Sequence, residues 1–212
     1  MSQVAKRIGV FGGAFDPPHN AHVALAQIAL AELELDALHV IPTGQAWHKV
    51  RSLSAAEHRL AMARLAFQNL PRVVVDDREI KRAGPTFTVD TLQALQAENP
   101  GAQLYLMMGA DQFAVFRQWH QWQEIMRIAI ICIADRARFD WSDGQIEALN
   151  WPENRILLLQ MPSMAVSATQ IRQLIAGGLG ENQVLTDLLP AMVARYIAKH
   201  QLYKASQTTS ID

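Results

Sequence analysis

The sequence predicts an α/β fold, doubly wound around a mostly parallel sheet, on three observations. Short β-rich runs alternate with helical patterns along the chain, as βαβ units require. The run at 128–133 is apolar at every position, which suits a strand buried on both faces rather than one with a wet side. A glycine pair, Gly12-Gly13, closes the first β-rich run just ahead of a helical pattern, and open α/β sheets bind ligands at such carboxyl ends.

The elements follow in order. Strands are predicted at 7–11, 37–41, 73–75, 103–108, 128–133 and 155–159. A first helix at 20–33 is apolar on nearly all sides through Val23, Leu25, Ile28, Leu30 and Leu33, as expected of a helix packed tightly on a sheet. Ser54 and Glu57 read as a capping box opening a second helix that ends at residue 67. Leu60, Leu65 and Phe67 recur there at helical spacing, with Arg59 and Arg64 among them. A third helix at 89–97 stops before Asn99-Pro100-Gly101. A small C-terminal helical portion comes last, with helices at 169–176, before Gly177-Gly178, and at 191–200, after Pro190.

Composition bounds the function. With 212 residues, half of them apolar, and only 9 Pro and 11 Gly, the chain is neither collagen-like, nor low-complexity, nor disordered. Its 19 basic and 20 acidic side chains give a formal charge of -1, which argues against a broad basic face for nucleic acid or anionic membrane. A local anion site is compatible with that balance. The single cysteine, Cys132, lies inside the 128–133 run and reads as a buried, inert thiol in a reducing compartment. Lys6 and Arg7 precede an apolar stretch that carries three glycines and stops at Asp16, so it reads as a strand and turn rather than a leader. No segment approaches the roughly 20 apolar residues that span a bilayer, and a cytoplasmic location is expected. Without an internal repeat, a Ser- or Pro-rich linker or a charge run, residues 1–212 read as one domain whose last residues, 206–212, are frayed.

The densest chemistry lies between Gly9 and His22. Glycines directly after a strand let backbone N–H groups approach a phosphate, and the following helix turns its positive end to the same place. The pattern is neither GxGxxG nor a P-loop with its GK[ST], so hydride transfer and Walker-type chemistry lose support. His19 and His22 sit one helical turn apart at that helix start, where imidazole N–H donors meet phosphate oxygens. Zinc is the competing reading of the pair, but two histidines supply two ligands and no HExxH or Cys cluster completes the set, so no protein-held metal is expected. Near the C-terminus, Ser167 or Thr169 is a natural N-cap. Arg172, one turn further on, makes the same helix start a second phosphate grip.

The segment GGxFDPxHxxH resembles the N-terminal signature of the nucleotidylyltransferase superfamily, whose short form is HxGH and whose members join a nucleotide to a phosphorylated small molecule. Ala21 stands where that glycine is usual, and Ala14 where a Thr or Ser is common, so a hydroxyl contact is absent there. Ser167, Thr169 and Arg172 match the superfamily's ISSTxxR motif. Between these ends the chain resembles one family over nearly its whole length, the bacterial nicotinate-nucleotide adenylyltransferases of NAD biosynthesis. The matching pieces are Pro42-x-x-Gln45-x-x-His48-Lys49, Thr86-Phe87-Thr88-x-x-Thr91-Leu92, Gly109-Ala110-Asp111 with Trp119 and Trp122, Leu189-Pro190, Tyr196-Ile197 and Leu202-Tyr203.

The resemblance implies a Rossmann-like nucleotidylyltransferase fold and a reaction. The 5′-phosphate of nicotinate mononucleotide attacks the α-phosphorus of ATP, giving nicotinate adenine dinucleotide and pyrophosphate. The nucleophile is already an anion, so no general base is required and catalysis rests on positioning and charge stabilisation. His19, His22 and Arg172 are the implied catalytic groups. Gly12, Gly13, Phe15, Ser167, Thr169 and, just past the fifth strand, Arg136 complete the ATP side. On the mononucleotide side stand Lys49, Thr88, Asp111 and Trp119. Trp119 is the better candidate to stack on the pyridine ring, and Trp122 the better candidate for core. Asp111 suits a ribose hydroxyl or a helix cap, and Lys49 with His48 suits phosphates or a solvated loop. Magnesium is expected with ATP, held mainly by phosphate and water. Three rivals are another nucleotidylyltransferase of the superfamily (an adenylyltransferase for the amide mononucleotide or for a pantetheine phosphate, or a cytidylyltransferase), a class I aminoacyl-tRNA synthetase core, whose KMSKS-like loop is not visible, and a nucleotide sensor without turnover. Residue chemistry alone leaves acid and amide open; the resemblance favours the acid.

Overall fold

The computed structural model describes residues 5–44, 53–135, 153–178 and 183–204. Six strands, β1 (Arg7–Gly13), β2 (Ala37–Pro42), β3 (Val73–Val75), β4 (Gln103–Gly109), β5 (Ala129–Asp135) and β6 (Ile156–Gln160), form one sheet in the order β3-β2-β1-β4-β5-β6. Every pairing is parallel, with Val10 of β1 beside both His39 and Leu106. The strand order reverses at β1 and β4. Connections leave these two strands in opposite directions and open a crevice at their carboxyl ends.

Side-chain alternation divides the core between the two faces of the sheet. Phe11, Leu38, Val40, Met107 and Cys132 point to one face, where α1 (Asn20–Glu32) and α2 (Ala56–Phe67) pack. The C-terminal helices α7 (Ala168–Ala176), α8 (Gln183–Leu188) and α9 (Ala191–Lys199) join the same layer. Ile8, Val10, Leu104, Leu106 and Ile131 point to the other face, against α4 (Thr88–Glu98), α5 (Ala110–Ala114) and α6 (Trp122–Ile128). Burial on both faces is what an apolar run such as β5 requires, and it confirms the reading of that strand. Cys132 is fully buried on β5, and burial pushes its thiol up to about 12. Among the described residues no helix is long and apolar enough to cross a membrane.

Local differences from the predicted elements have physical causes. Ser54 does not cap α2: the N-cap is Ala55, and no side-chain cap is made. Ser54 is engaged elsewhere, its N–H donating to Asp16 Oδ2 at 3.2 Å and its carbonyl accepting from Arg59 Nε at 3.0 Å. Arg59, on the inner face of α2, is only 2% exposed. The helix at 128 ends where the strand was predicted to begin, because Ile125, Met126 and Ile128 form the buried side of α6 and β5 starts at Ala129. The short α3 (Arg78–Lys81), α5, α6 and α8 escape a periodicity search because each spans at most two turns.

Candidate active site

The carboxyl ends of the strands and the starts of α1, α4 and α7 enclose a cavity of about 790 Å³, within the ordinary range for a small-molecule site. Its lining falls into two ends. At one end the turn from β1 to α1 meets the start of α7. At the other, the segment leading into α4 faces the loops that follow β4.

The first end is built on the β1 turn. A side chain added at Gly12 would meet no atom within 4 Å, so the glycine leaves open space where a ligand can approach the backbone. A Cβ at Gly13 would press on the Phe15 ring at 3.2 Å. His19 occupies the N-cap of α1, and its N–H donates to His22 Nδ1 at 3.1 Å. The two imidazoles stack with centroids 3.7 Å apart and planes at 22°. Because Nδ1 of His22 accepts, its proton resides on Nε2, the donor it can offer to a ligand. Phe15 borders the cavity but is only 2% exposed, in the left-handed region at φ 48°. Its ring packs edge-on against Phe11, Phe67 and His22, so it buttresses His22 more than it presents a face to a ligand. Ala21 is buried in the first turn of α1 without positive φ, so its methyl is accommodated by ordinary helix geometry.

The start of α7 docks onto this turn. Ser167 is the N-cap, its Oγ accepting from the Gln170 N–H at 3.2 Å. Arg172 donates through Nη1 to the Asp16 carbonyl at 2.7 Å and through Nη2 to Thr169 Oγ1 at 2.9 Å. The two predicted phosphate elements, more than 140 residues apart in sequence, thus share one hydrogen-bond network.

Beneath it lie groups to which motif reading gave no role. Asp16 is 1% exposed, with Oδ2 held by the Ser54 N–H and Oδ1 by the Tyr203 hydroxyl at 2.6 Å. Arg59 donates Nη1–H to the Ala14 carbonyl at 3.1 Å. Burial draws its guanidinium pKa down, and the Asp16 charge opposes that. The sequence signal was present, since Arg59 interrupts an apolar helical stripe, but a stripe does not say what the arginine meets.

At the second end, Thr88 opens α4 behind Phe87, whose side chain does not cap the helix. Glu79, 7% exposed, takes the Thr91 hydroxyl at 2.8 Å. Burial pushes its carboxyl above the ordinary range, against hydrogen bonds from Thr91, Thr43 and Thr86 and the charge of Arg82. Trp119 is half-buried on the cavity wall, edge-on to Phe116, while Trp122 packs on Phe116 and under Arg117, away from the cavity. Trp119 thus lines the cavity and Trp122 does not, and both are only partly buried. His120 packs against Phe87 with centroids 4.4 Å apart and planes tilted by 37°. Asp111 is exposed in the first turn of α5, and its Oδ1 lies 2.5 Å from where a Cβ on Gly109 would be. The structure therefore brings Gly12, Gly13, Phe15, His19, His22, Thr88, Asp111, Trp119, Ser167, Thr169 and Arg172 to one cavity. Lys49, with His48 and Gln45, and Arg136 lie outside the described residues. Among the described residues no group of His, Cys, Asp or Glu could hold a metal ion.

Comparison with known proteins agrees with this arrangement. The cytidylyltransferase-like family model matches residues 10–174. A probable nicotinate-nucleotide adenylyltransferase of Albidiferax ferrireducens is 52% identical over 201 residues, covering 95% of this chain and all of that one. A similarly named protein of Bordetella petrii is 41% identical, covering 94% of this chain and all of its own. Among solved structures, the Plasmodium falciparum nicotinic acid mononucleotide adenylyltransferase complexed with NaAD superposes with a TM-score of 0.77 at 21% identity, over 93% of this chain and 97% of that one. That likeness shows the fold. Sheet order, site and relatives converge: the chain belongs to the cytidylyltransferase-like family and, within it, to the nicotinate-nucleotide adenylyltransferases.

Proposed function

We propose that this chain is a single-domain, cytoplasmic adenylyltransferase that joins ATP to nicotinate mononucleotide, releasing nicotinate adenine dinucleotide and pyrophosphate. One observation carries the reading. A single cavity has the starts of α1 and α7 at one end, and the start of α4 beside the half-buried Trp119 at the other.

The triphosphate lies across the first end. Backbone N–H groups after Gly12, the Nε2–H of His22, the imidazole of His19 and the Arg172 guanidinium stabilise charge on the α-phosphate and on the departing pyrophosphate. The attacking phosphate of the mononucleotide is an anion, so the protein's task is alignment, and no side chain has to remove a proton. Arg172 arrives pre-oriented because Asp16 and Thr169 already hold both of its Nη groups. Magnesium enters as part of the substrate, MgATP. The Asp16 carboxylate already accepts from Ser54 and Tyr203, so phosphate oxygens and water would hold the metal.

At the second end Trp119 offers the pyridine ring an aromatic face. The N–H groups at the start of α4, beside the Thr88 hydroxyl, suit a carboxylate through both hydrogen bonds and the helix dipole. A neutral amide gains less from that dipole, which favours the acid. Asp111, at the mouth, suits a ribose hydroxyl, and Lys49 and Arg136 add positive charge from the adjoining loops. The test is pyrophosphate release from ATP plus nicotinate mononucleotide, with the nicotinamide mononucleotide in parallel. Release with the acid, at a kcat/KM well above that of the amide, is the expected result. No release would reduce the chain to a nucleotide sensor, and equal values would remove the acid-specific role of the α4 start.

A further inference from the structure

The C-terminal Leu202-Tyr203 pair has no part in the chemistry above, yet it reaches the nucleotide turn. After α9 the chain bends back through Gln201 and Tyr203, both in the left-handed region, with the Leu202 N–H on the Ile197 carbonyl at 3.1 Å. This bend brings the Tyr203 hydroxyl to Asp16 Oδ1 at 2.6 Å, across 187 positions of sequence. The other carboxylate oxygen of Asp16 accepts from the Ser54 N–H, and its main-chain carbonyl accepts from Arg172. A carboxylate buried to 1% exposure with a donor on each oxygen cannot swing without leaving an unmade hydrogen bond behind. Its peptide carbonyl is fixed with it.

We infer that Tyr203 is a positioning residue for ATP: its hydroxyl locks Asp16, and the locked Asp16 carbonyl aims the guanidinium of Arg172 at the phosphate end of the cavity. Burial, together with the hydrogen bond and charge of Asp16, raises the phenol above its ordinary range, so it stays protonated and a donor wherever the enzyme works. Linkage makes the effect reciprocal. ATP that engages Arg172 favours the docked tail, and an undocked tail weakens ATP. The inference rests on the proposed role of Arg172.

Tyr203→Phe removes the hydroxyl, with its bond to Asp16 and its contact to Met62 Sδ, and keeps the ring. The expected result is a KM for ATP raised about fivefold to tenfold, a modest share of what one hydrogen bond to a buried carboxylate is worth. The KM for the mononucleotide should stay within about twofold of wild type on that scale. A tail that merely supports the fold would lower the melting temperature and leave the ATP constants alone, or weaken both substrates alike; either result overturns the inference. Because Tyr203 acts through Arg172, its effect should largely vanish in an Arg172→Lys background, and equal effects in both backgrounds also overturn it. If Tyr203→Phe does not yield folded protein, Asp16→Asn, whose amide keeps only one of the two acceptor positions that Ser54 and Tyr203 use, carries the same comparison. Arg172→Lys alone separates the two readings. If it leaves the ATP constants unchanged, the role of Arg172 fails and the Tyr203 inference falls with it; if it impairs them and Tyr203→Phe does not, only the Tyr203 inference falls.

Discussion

Arg59→Met tests how the β1 turn is held. Arg59 is 2% exposed and donates to the carbonyls of Ser54 and Ala14, at 3.0 and 3.1 Å, while its charge faces buried Asp16. Methionine replaces the aliphatic stem but supplies no donor. Each carbonyl then loses a charged hydrogen bond, worth about 1.5–3 kcal/mol, and Asp16 loses its buried counter-charge. Removing one member of such a buried network costs about 3–5 kcal/mol in all. For a chain of this size one kcal/mol corresponds to about 2–4 °C, so thermal unfolding should shift down by roughly 6–20 °C. Urea unfolding should show a lower midpoint with an unchanged slope, because the surface exposed on unfolding is the same. The turn that carries His19 and His22 also loosens, so the KM for ATP should rise. A midpoint within about 2 °C of wild type would refute the reasoning, since it would mean that water or Asp16 rearrangement replaces the arginine at no cost.

Four further outcomes are expected. His22→Ala should lower kcat far more than it raises either KM if His22 acts, as proposed, on charge that develops in the transition state; unchanged turnover would remove that role. Gly44→Ala should cost about 1–3 kcal/mol, seen as a lower urea midpoint, because its Cβ would overlap the Glu79 carbonyl and approach Thr86 Cγ2 to 3.1 Å. The displaced Thr86–Thr88 segment should raise the KM for the mononucleotide before that for ATP. Asp76→Asn should be destabilising at neutral pH. Burial pushes the Asp76 carboxyl up, but hydrogen bonds from His39 and from the backbone and side chain of Arg78, with the Arg78 charge, hold it well below its ordinary 3.8. A depressed folded-state pKa contributes stability above the unfolded value and loses it as pH falls, so the gap between wild type and variant should close only below about pH 4 in urea titrations. Trp119→Ala should raise the KM for the mononucleotide, and Trp122→Ala should act on stability instead, measured by kinetics and thermal unfolding side by side.

Much of the site was legible in the chain because its chemistry is local. Gly12-Gly13 before a helix, two histidines one turn apart, and a capped helix start bearing Arg172 are each contained within one or two helical turns, so short-range spacing alone marks each as a candidate anion-binding element. The parallel sheet was legible because burial on both faces writes apolar runs such as the one at β5. Element ends and short helices were less so. Ser54 has the residue type and spacing of a cap, and local propensity cannot foresee that Asp16 and Arg59 will take its backbone groups instead.

What the sequence by itself determined, then, is the set of parts: a doubly wound sheet, and the glycine turn, the histidine pair, the Arg172 helix start and Trp119 that line one cavity. Tertiary structure alone decided how those parts are joined. Arg172 rests on Asp16, Asp16 on Tyr203 and Ser54, Glu79 on threonines from separate segments, and Phe15 turns inward beneath His22. These contacts link residues up to 187 positions apart, and no periodicity or spacing rule encodes such pairs. They exist because burial leaves each polar group a choice between finding a partner across the fold and losing the hydrogen bond it had in water.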